Sequence, residues 1–202
     1  MSPGKFITLE GIDGAGKSTH VKVVADFLRE HGKDVVVTRE PGGTPLGEKL
    51  RALLLSQSMN LDTETLLMFA ARREHIAQVI APALAAGRWV VSDRFTDATY
   101  AYQGAGGGMA KDRIATIERW VQGGLKPDLT IVFDAPVEVA LGRLAKDRSD
   151  RFERENSGYF ERVRAGYLGR AAAEPRRIRV VDGRRSLIEV KKEIEDILVG
   201  LG

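Results

Sequence analysis

The chain has 202 residues, 43% hydrophobic and 29% charged, with 31 Lys+Arg against 28 Asp+Glu and a formal charge of +3. That length suits one ordinary domain with its own core, and so slight a positive excess argues against a nucleic-acid surface. With no cysteine, disulfides and thiolate metal sites are excluded, and the apolar stretches fall far short of the ~20 residues of a membrane span. The N-terminus reads into its first apolar run within about five residues, without the regions of a signal peptide. A soluble, cytoplasmic protein with no nucleic-acid or membrane partner is the expectation.

Phe6-Ile7-Thr8-Leu9 reads as a buried strand, and Lys17 to about Glu30 as a helix with Val21, Val24, Ala25 and Leu28 on one side. Between them lies Gly11-Ile12-Asp13-Gly14-Ala15-Gly16-Lys17-Ser18. The glycines let the backbone curl so that its N–H groups face an anion, and the new helix adds its positive end. Lys17 can reach outer phosphates and Ser18 can ligate Mg2+, which makes this a nucleoside triphosphate site. Asp13 would repel phosphate there unless Mg2+, an arginine or a sugar hydroxyl compensates; it can also be a simple turn former.

Asp34 to Thr38 is a second strand, and Pro41, Gly42, Gly43 and Pro45 enforce a loop before a helix at Leu46 to Leu55. The next helix, capped by Asp62 or Thr63, runs through Leu66, Phe69, Ile76 and Ile80 towards Ala86, with Pro82 able to bend it. Trp89 to Ser92 is the third strand, followed at once by Asp93-Arg94. A helix at Asp112 to Val121, a strand at Leu129 to Phe133 and a helix from Pro136 to about Ala145 come next. The remainder reads as a helix from about Asn156 to Ala173, a strand at Ile178 to Val181, and a helix at Leu187 to Leu198 capped by Ser186. Short branched-apolar strands alternating with helices indicate a parallel sheet covered on both faces, with functional loops at its carboxyl edge.

Each strand exit carries chemistry. Thr38-Arg39-Glu40-Pro41-Gly42-Gly43 is a rigid charged turn that can hold a carboxylate and a guanidinium in fixed relation, or be a solvated loop. Asp93 can orient Mg2+ or its waters, and Arg94 offers a bidentate fork for phosphate. Thr99, Tyr102 and Gln103 can share a helical face, supplying a hydroxyl, a phenol over a sugar and an amide for a base edge. Arg51 and Arg72 sit on apolar helices, where each needs an anion, base acceptors or a salt bridge to Glu48, Glu64 or Glu74. Arg143, Lys146, Arg148, Arg151 and Arg154, interleaved with acids, are either solvated surface or a flap that closes over the triphosphate.

These motifs together resemble the bacterial thymidylate kinase family along nearly the whole chain. The carriers are Glu10 to Thr19, Thr38-Arg39-Glu40-Pro41-Gly42-Gly43-Thr44, Phe69-Ala70-Ala71-Arg72, Asp93-Arg94-Phe95 and Ala101-Tyr102-Gln103-Gly104. The first marks a nucleotide-binding superfamily; the Arg-Glu-Pro-Gly-Gly and Tyr-Gln-Gly segments are more specific. The resemblance implies a P-loop NTPase fold: α/β, a five-stranded parallel sheet with helices on both faces, and a small flexible lid at about residues 143–154 of a single domain. It implies transfer of the ATP γ-phosphate to dTMP, giving dTDP and ADP on the way to dTTP, with Mg2+, in a cytoplasmic homodimer.

By position, Lys17, Arg94, Arg148 and Asp13 match the family's catalytic groups, with Lys146 and Arg151 behind Arg148 and the lid register open by a residue or two. Gly11 to Thr19 would hold ATP, with Arg143 against adenine. Arg72 matches the reader of the thymine edge, Thr99 and Gln103 the lining of the base, Arg51 a monophosphate contact, and Arg39 and Glu40 the acceptor-side loop. Tyr102 matches the ring beneath deoxyribose, which disfavours a 2'-hydroxyl. Some members carry an arginine in the phosphate loop, where this chain has Gly14. The aromatic that commonly stacks on thymine falls at Met68, so either Met68 or Phe69 covers the base. The competing reading is another pyrimidine nucleoside monophosphate kinase; a GTPase switch would want Asn-Lys-x-Asp, which is absent.

Overall fold

The computed structural model describes residues 4–144 and 157–201. Lys146, Arg148, Arg151 and Arg154, the heart of the expected lid, lie outside them. Five strands, β1 (Phe6–Glu10), β2 (Val35–Arg39), β3 (Trp89–Asp93), β4 (Leu129–Asp134) and β5 (Ile178–Asp182), form one parallel sheet in the order β2-β3-β1-β4-β5. The chain builds β2 and β3 to one side of β1 and β4 and β5 to the other. The winding therefore reverses beside β1, where an open α/β sheet leaves a crevice at its carboxyl edge.

The strands show why the sheet must be covered twice. On β1, Ile7 and Leu9 pack with Val24 and Leu28 of α1 (Lys17–Glu30) and Ile194 of α9 (Leu187–Val199). Side chains alternate, so Phe6, Thr8 and Glu10 face the other way. Phe6 joins Ile76, Ile80 and Val90, Thr8 bonds Thr130, and Glu10 bonds Tyr167 of α8 (Ser157–Ala173). Burying each such large apolar side chain contributes about 1.5–3 kcal/mol. The edge strands are half open, with Val37 and Val180 exposed.

The crossover helices are α2 (Pro45–Ser56), α3 (Leu61–His75), α4 (Ala81–Ala85), α5 (Thr96–Thr99), α6 (Lys111–Gln122) and α7 (Val137–Leu144). Asn60, rather than Asp62 or Thr63, caps α3: its side chain accepts the Asp62 N–H at 2.9 Å. Pro82 does not simply kink the following segment. A π-helical turn, Ile76–Ile80, joins α3 to α4, because Pro82 has no N–H for an ordinary helical bond. A second π-helical turn, Tyr100–Gly106, extends α5 and carries Tyr102 and Gln103.

Candidate active site

The loop between β1 and α1 depends on its glycines. Gly14 has φ of 80°, and a Cβ there would sit 2.1 Å from the carbonyl oxygen of Ala140 in α7. The position therefore tolerates no side chain, so the loop arginine of other members has no room here. Ile12 and Ala15 turn into the core and offer only backbone to a ligand. Lys17 folds back over the loop, its Nζ donating to the Gly11 and Ile12 carbonyls at 2.7 and 2.8 Å. Burial, then the Arg94 guanidinium, pull its ammonium down to about 7 against the opposing charges of Asp13, Asp93 and Glu10.

β3 ends beside this loop, with Asp93 in register between Leu9 and Arg39. Arg94 follows with φ of 73°, the only non-glycine residue with positive φ among those described. Its Nη2 donates to Asp13 Oδ1 and to Tyr102 Oη, both at 2.8 Å, and its guanidinium lies 4.5 Å from the Tyr102 ring centroid. Burial works to raise the Asp13 carboxyl, but Arg94 and Lys17 outweigh it and hold it below the usual carboxylate range.

A cleft of about 270 Å³ opens on the other side of Arg94. Arg72, 3% exposed, is held there by Glu40 Oε2 at 2.7 Å from its Nε, and its Nη2 donates to the Phe95 carbonyl and Thr99 Oγ1, each at 3.1 Å. Its Nη1 is buried and has no hydrogen-bond partner among the described residues. Glu40 Oε1 also accepts from Nδ1 of buried His75 at 2.9 Å, and His75 Nε2 meets Thr38 Oγ1 at 2.6 Å. Neither Glu64 nor Glu74 pairs with Arg72. Glu64 instead accepts from Gln103 at 2.7 Å, and Arg51 donates to the Pro41 carbonyl at 3.0 Å.

The cleft thus gathers Asp13, Glu40, Arg51, Met68, Arg72, Arg94, Thr99, Tyr102 and Gln103 from the exits of β1, β2 and β3, from α2 and α3, and from α5 with its π-helical extension. Phe69 does not join them. It is buried with Met109, Ile114 and Val121, its ring 4.8 Å from the Arg72 guanidinium, so it supports that group from behind while Met68 lines the cleft. Arg39 also faces elsewhere, because Glu48 takes both its Nε and Nη2, at 3.3 and 2.8 Å. Arg143 donates to the Gly14 and Gly183 carbonyls, at 3.2 and 2.9 Å, close against the phosphate loop. Thr19 is exposed on α1.

The sequence reading gave no role to His75, Leu54, Leu55 or Tyr167; it took Glu64 only as a candidate partner for an arginine and Glu10 only as the start of the phosphate-loop motif. An acid closing the apolar run of β1 was the available signal for Glu10. Burial, then the nearby Asp97 charge, push its carboxyl up to about 8.

Ser18, Asp93 and Arg39 line a separate concavity of about 460 Å³. Asp93 Oδ1 is buried there with no partner among the described residues. A hydroxyl and an orphaned carboxylate oxygen suit Mg2+, which takes few protein ligands and completes its shell with water and substrate phosphate. The donor set fits the ion, and among the described residues no cluster of three or more His, Asp or Glu exists to favour another metal.

A parallel sheet with a phosphate-cradling loop at its switch point, facing a second cleft across an arginine, defines a P-loop phosphotransferase acting between two nucleotides. Residues 9–194 match the protein-family model described as thymidylate kinase. The chain is 63% identical to the thymidylate kinase of Cupriavidus metallidurans, over 98% of this chain and 99% of that one. It is 62% identical to that of Bordetella petrii, over 98% and 96%. The crystal structure of the thymidylate kinase from Ehrlichia chaffeensis superposes with a TM-score of 0.80 at 35% identity, covering 97% of this chain and 99% of that one. The chain belongs to the thymidylate kinase family. Its activity is that family's, phosphorylation of dTMP with ATP as donor and Mg2+ as cofactor.

Proposed function

We propose that the cleft beside Arg72 holds dTMP and that the loop from Gly11 to Thr19 holds ATP, with Arg94 between the two phosphates. The buried, unpartnered Nη1 of Arg72 carries this reading. A desolvated guanidinium donor without a partner is costly, and a pyrimidine carbonyl relieves that cost. Thr99 and Gln103 line the base, Met68 covers it, and Tyr102 lies under the sugar. Arg51 reaches the acceptor phosphate, while Glu40 acts through Arg72 rather than on the nucleotide. Arg39, paired with Glu48, serves the donor side.

The dTMP phosphate is already anionic near neutral pH, so its attacking oxygen needs no strong base. Rate then comes from alignment and from Lys17 and Arg94 meeting the charge on the transferred group. Lys17 must leave the Gly11 and Ile12 carbonyls to do so. Mg2+, held by Ser18 and Asp93, would neutralise and orient the donor's outer phosphates. Asp13 steers Arg94, and Arg143 flanks the adenine side. From the sequence, Arg148, with Lys146 and Arg151 behind it, supplies the remaining cations from a lid at about residues 143–154.

A cytoplasmic homodimer completes the proposal. Leu66 on α3 and Trp120 on α6, 54% and 84% exposed, support an apolar contact there; sedimentation at several concentrations tests it. Rates on dTMP, dUMP, dCMP, dGMP and UMP test the acceptor. We expect dTMP to be preferred, and a preference for any other acceptor overturns the assignment of the cleft.

A further inference from the structure

Arg94 occupies a backbone state that a side chain disfavours, and such a state persists only where the surroundings impose it. Three hydrogen bonds pin the two peptide groups that flank it. The Arg94 N–H donates to the Leu9 carbonyl at 3.0 Å, and Ser92 Oγ donates to the Arg94 carbonyl at 2.8 Å. The third comes from a side chain in the centre of the sheet: the Phe95 N–H donates to Glu10 Oε1 at 2.7 Å. Glu10 is fully buried, and its other oxygen accepts from Tyr167 Oη of α8 at 2.9 Å. Tyr167 also meets the Tyr102 ring edge-on, with centroids 6.3 Å apart, and Tyr102 holds the far end of Arg94.

A carboxyl group placed in an apolar core is expensive unless both oxygens are satisfied. Here both partners lead to the same arginine, one through its backbone and one through the ring beneath its guanidinium. Asp97, the other buried acid on this face, is taken up by Arg170 and Arg177, although its charge still reaches Glu10.

We propose that Glu10, braced by Tyr167, is a positioning residue for phosphoryl transfer, fixing the turn that aims Arg94 without touching either nucleotide. The inference rests on the role given to Arg94 above. It makes α8, which follows the arginine-rich segment in sequence, part of the device that aligns the reacting phosphates.

A double-mutant cycle on the full chain tests this, using Glu10→Gln, Tyr167→Phe, Arg94→Ala and the two doubles with Arg94→Ala. We expect Glu10→Gln to lower kcat about 10- to 100-fold, as misplacing a group on the scale of an ångström does, and Tyr167→Phe to lower it less. The KM values for dTMP and ATP should stay within about twofold. In the Arg94→Ala background neither change should lower kcat further. Unchanged kcat in Glu10→Gln, or equal fold losses with and without Arg94, overturns the proposal. So does a fall in thermal midpoint alone. Should Glu10→Gln fail to fold, Tyr167→Phe carries the same cycle with the same criteria. If Arg94→Ala itself turns over normally, the reading of Arg94 fails first; if it is impaired while the Glu10 and Tyr167 variants are not, only the present inference fails.

Discussion

In the cleft, charged groups hold one another; in the phosphate loop, they are left waiting. Arg72 is fixed by Glu40, which is fixed by His75, and Arg94 is fixed by Asp13 and Tyr102. Across Arg94, Lys17 turns back onto its own loop and Asp93 leaves an oxygen unsatisfied. The acceptor side is therefore organised by its own side chains, which lowers the entropy cost of choosing dTMP. The donor side must rearrange its charges when the triphosphate enters. Selectivity belongs to the wired half and charge response to the waiting half.

Arg94 belongs to both halves, so its removal should have the largest effect. Arg94→Ala is expected to cut kcat by about 100-fold or more with the fold intact, read by steady-state kinetics beside circular dichroism. Normal turnover would remove it from the mechanism. Next comes Arg72→Ala, which strikes the wired half. It deletes the free donor and leaves buried Glu40 with His75 as its one side-chain partner among the described residues. We expect the KM for dTMP to rise about 10- to 100-fold, the KM for ATP to hold, and stability to fall by about 3 kcal/mol. Equal rises in both KM values would erase the division between the halves.

Asp93→Asn probes the waiting half. The Mg2+ concentration for half-maximal rate should rise about tenfold while dTMP binding, followed by calorimetry, stays unchanged. The gentlest probe is protonic. Burial and the Arg94 guanidinium bring Lys17 down to about 7 from its ordinary 10.5, so its charge is lost as the pH rises through neutrality. A bound triphosphate favours the ammonium, so ATP binding should take up protons, approaching about one per site above pH 7. Calorimetry in buffers of different ionisation enthalpy reads this, and Lys17→Met should abolish it. Binding without uptake would mean that Lys17 is already charged and that the loop is as prepared as the cleft.

The sheet was legible because each strand is a short branched-apolar run, and the phosphate loop because glycine, lysine and serine leave few alternatives. The exits of β2 and β3 were legible as places for chemistry. What escaped was connectivity at long range. Glu10 and Tyr167 are 157 residues apart, and Glu40 meets His75 only after a turn and the helices α2 and α3 are packed. No local pattern encodes such pairings. The π-helical turns escaped because apolar spacing does not distinguish an i→i+5 bond from an i→i+4 one over so few residues. Met68 and Phe69 differ by one step around α3, a rotation that only the packing against Met109 and Ile114 decides.

The Ala140 carbonyl above Gly14 reaches beyond the loop it restrains. Acquiring a cation at that spot would take more than one codon, since α7 would have to be lifted as well. A lineage with this ceiling has to bring further positive charge to the phosphates from outside the loop, as Arg94 and Arg143 do among the described residues.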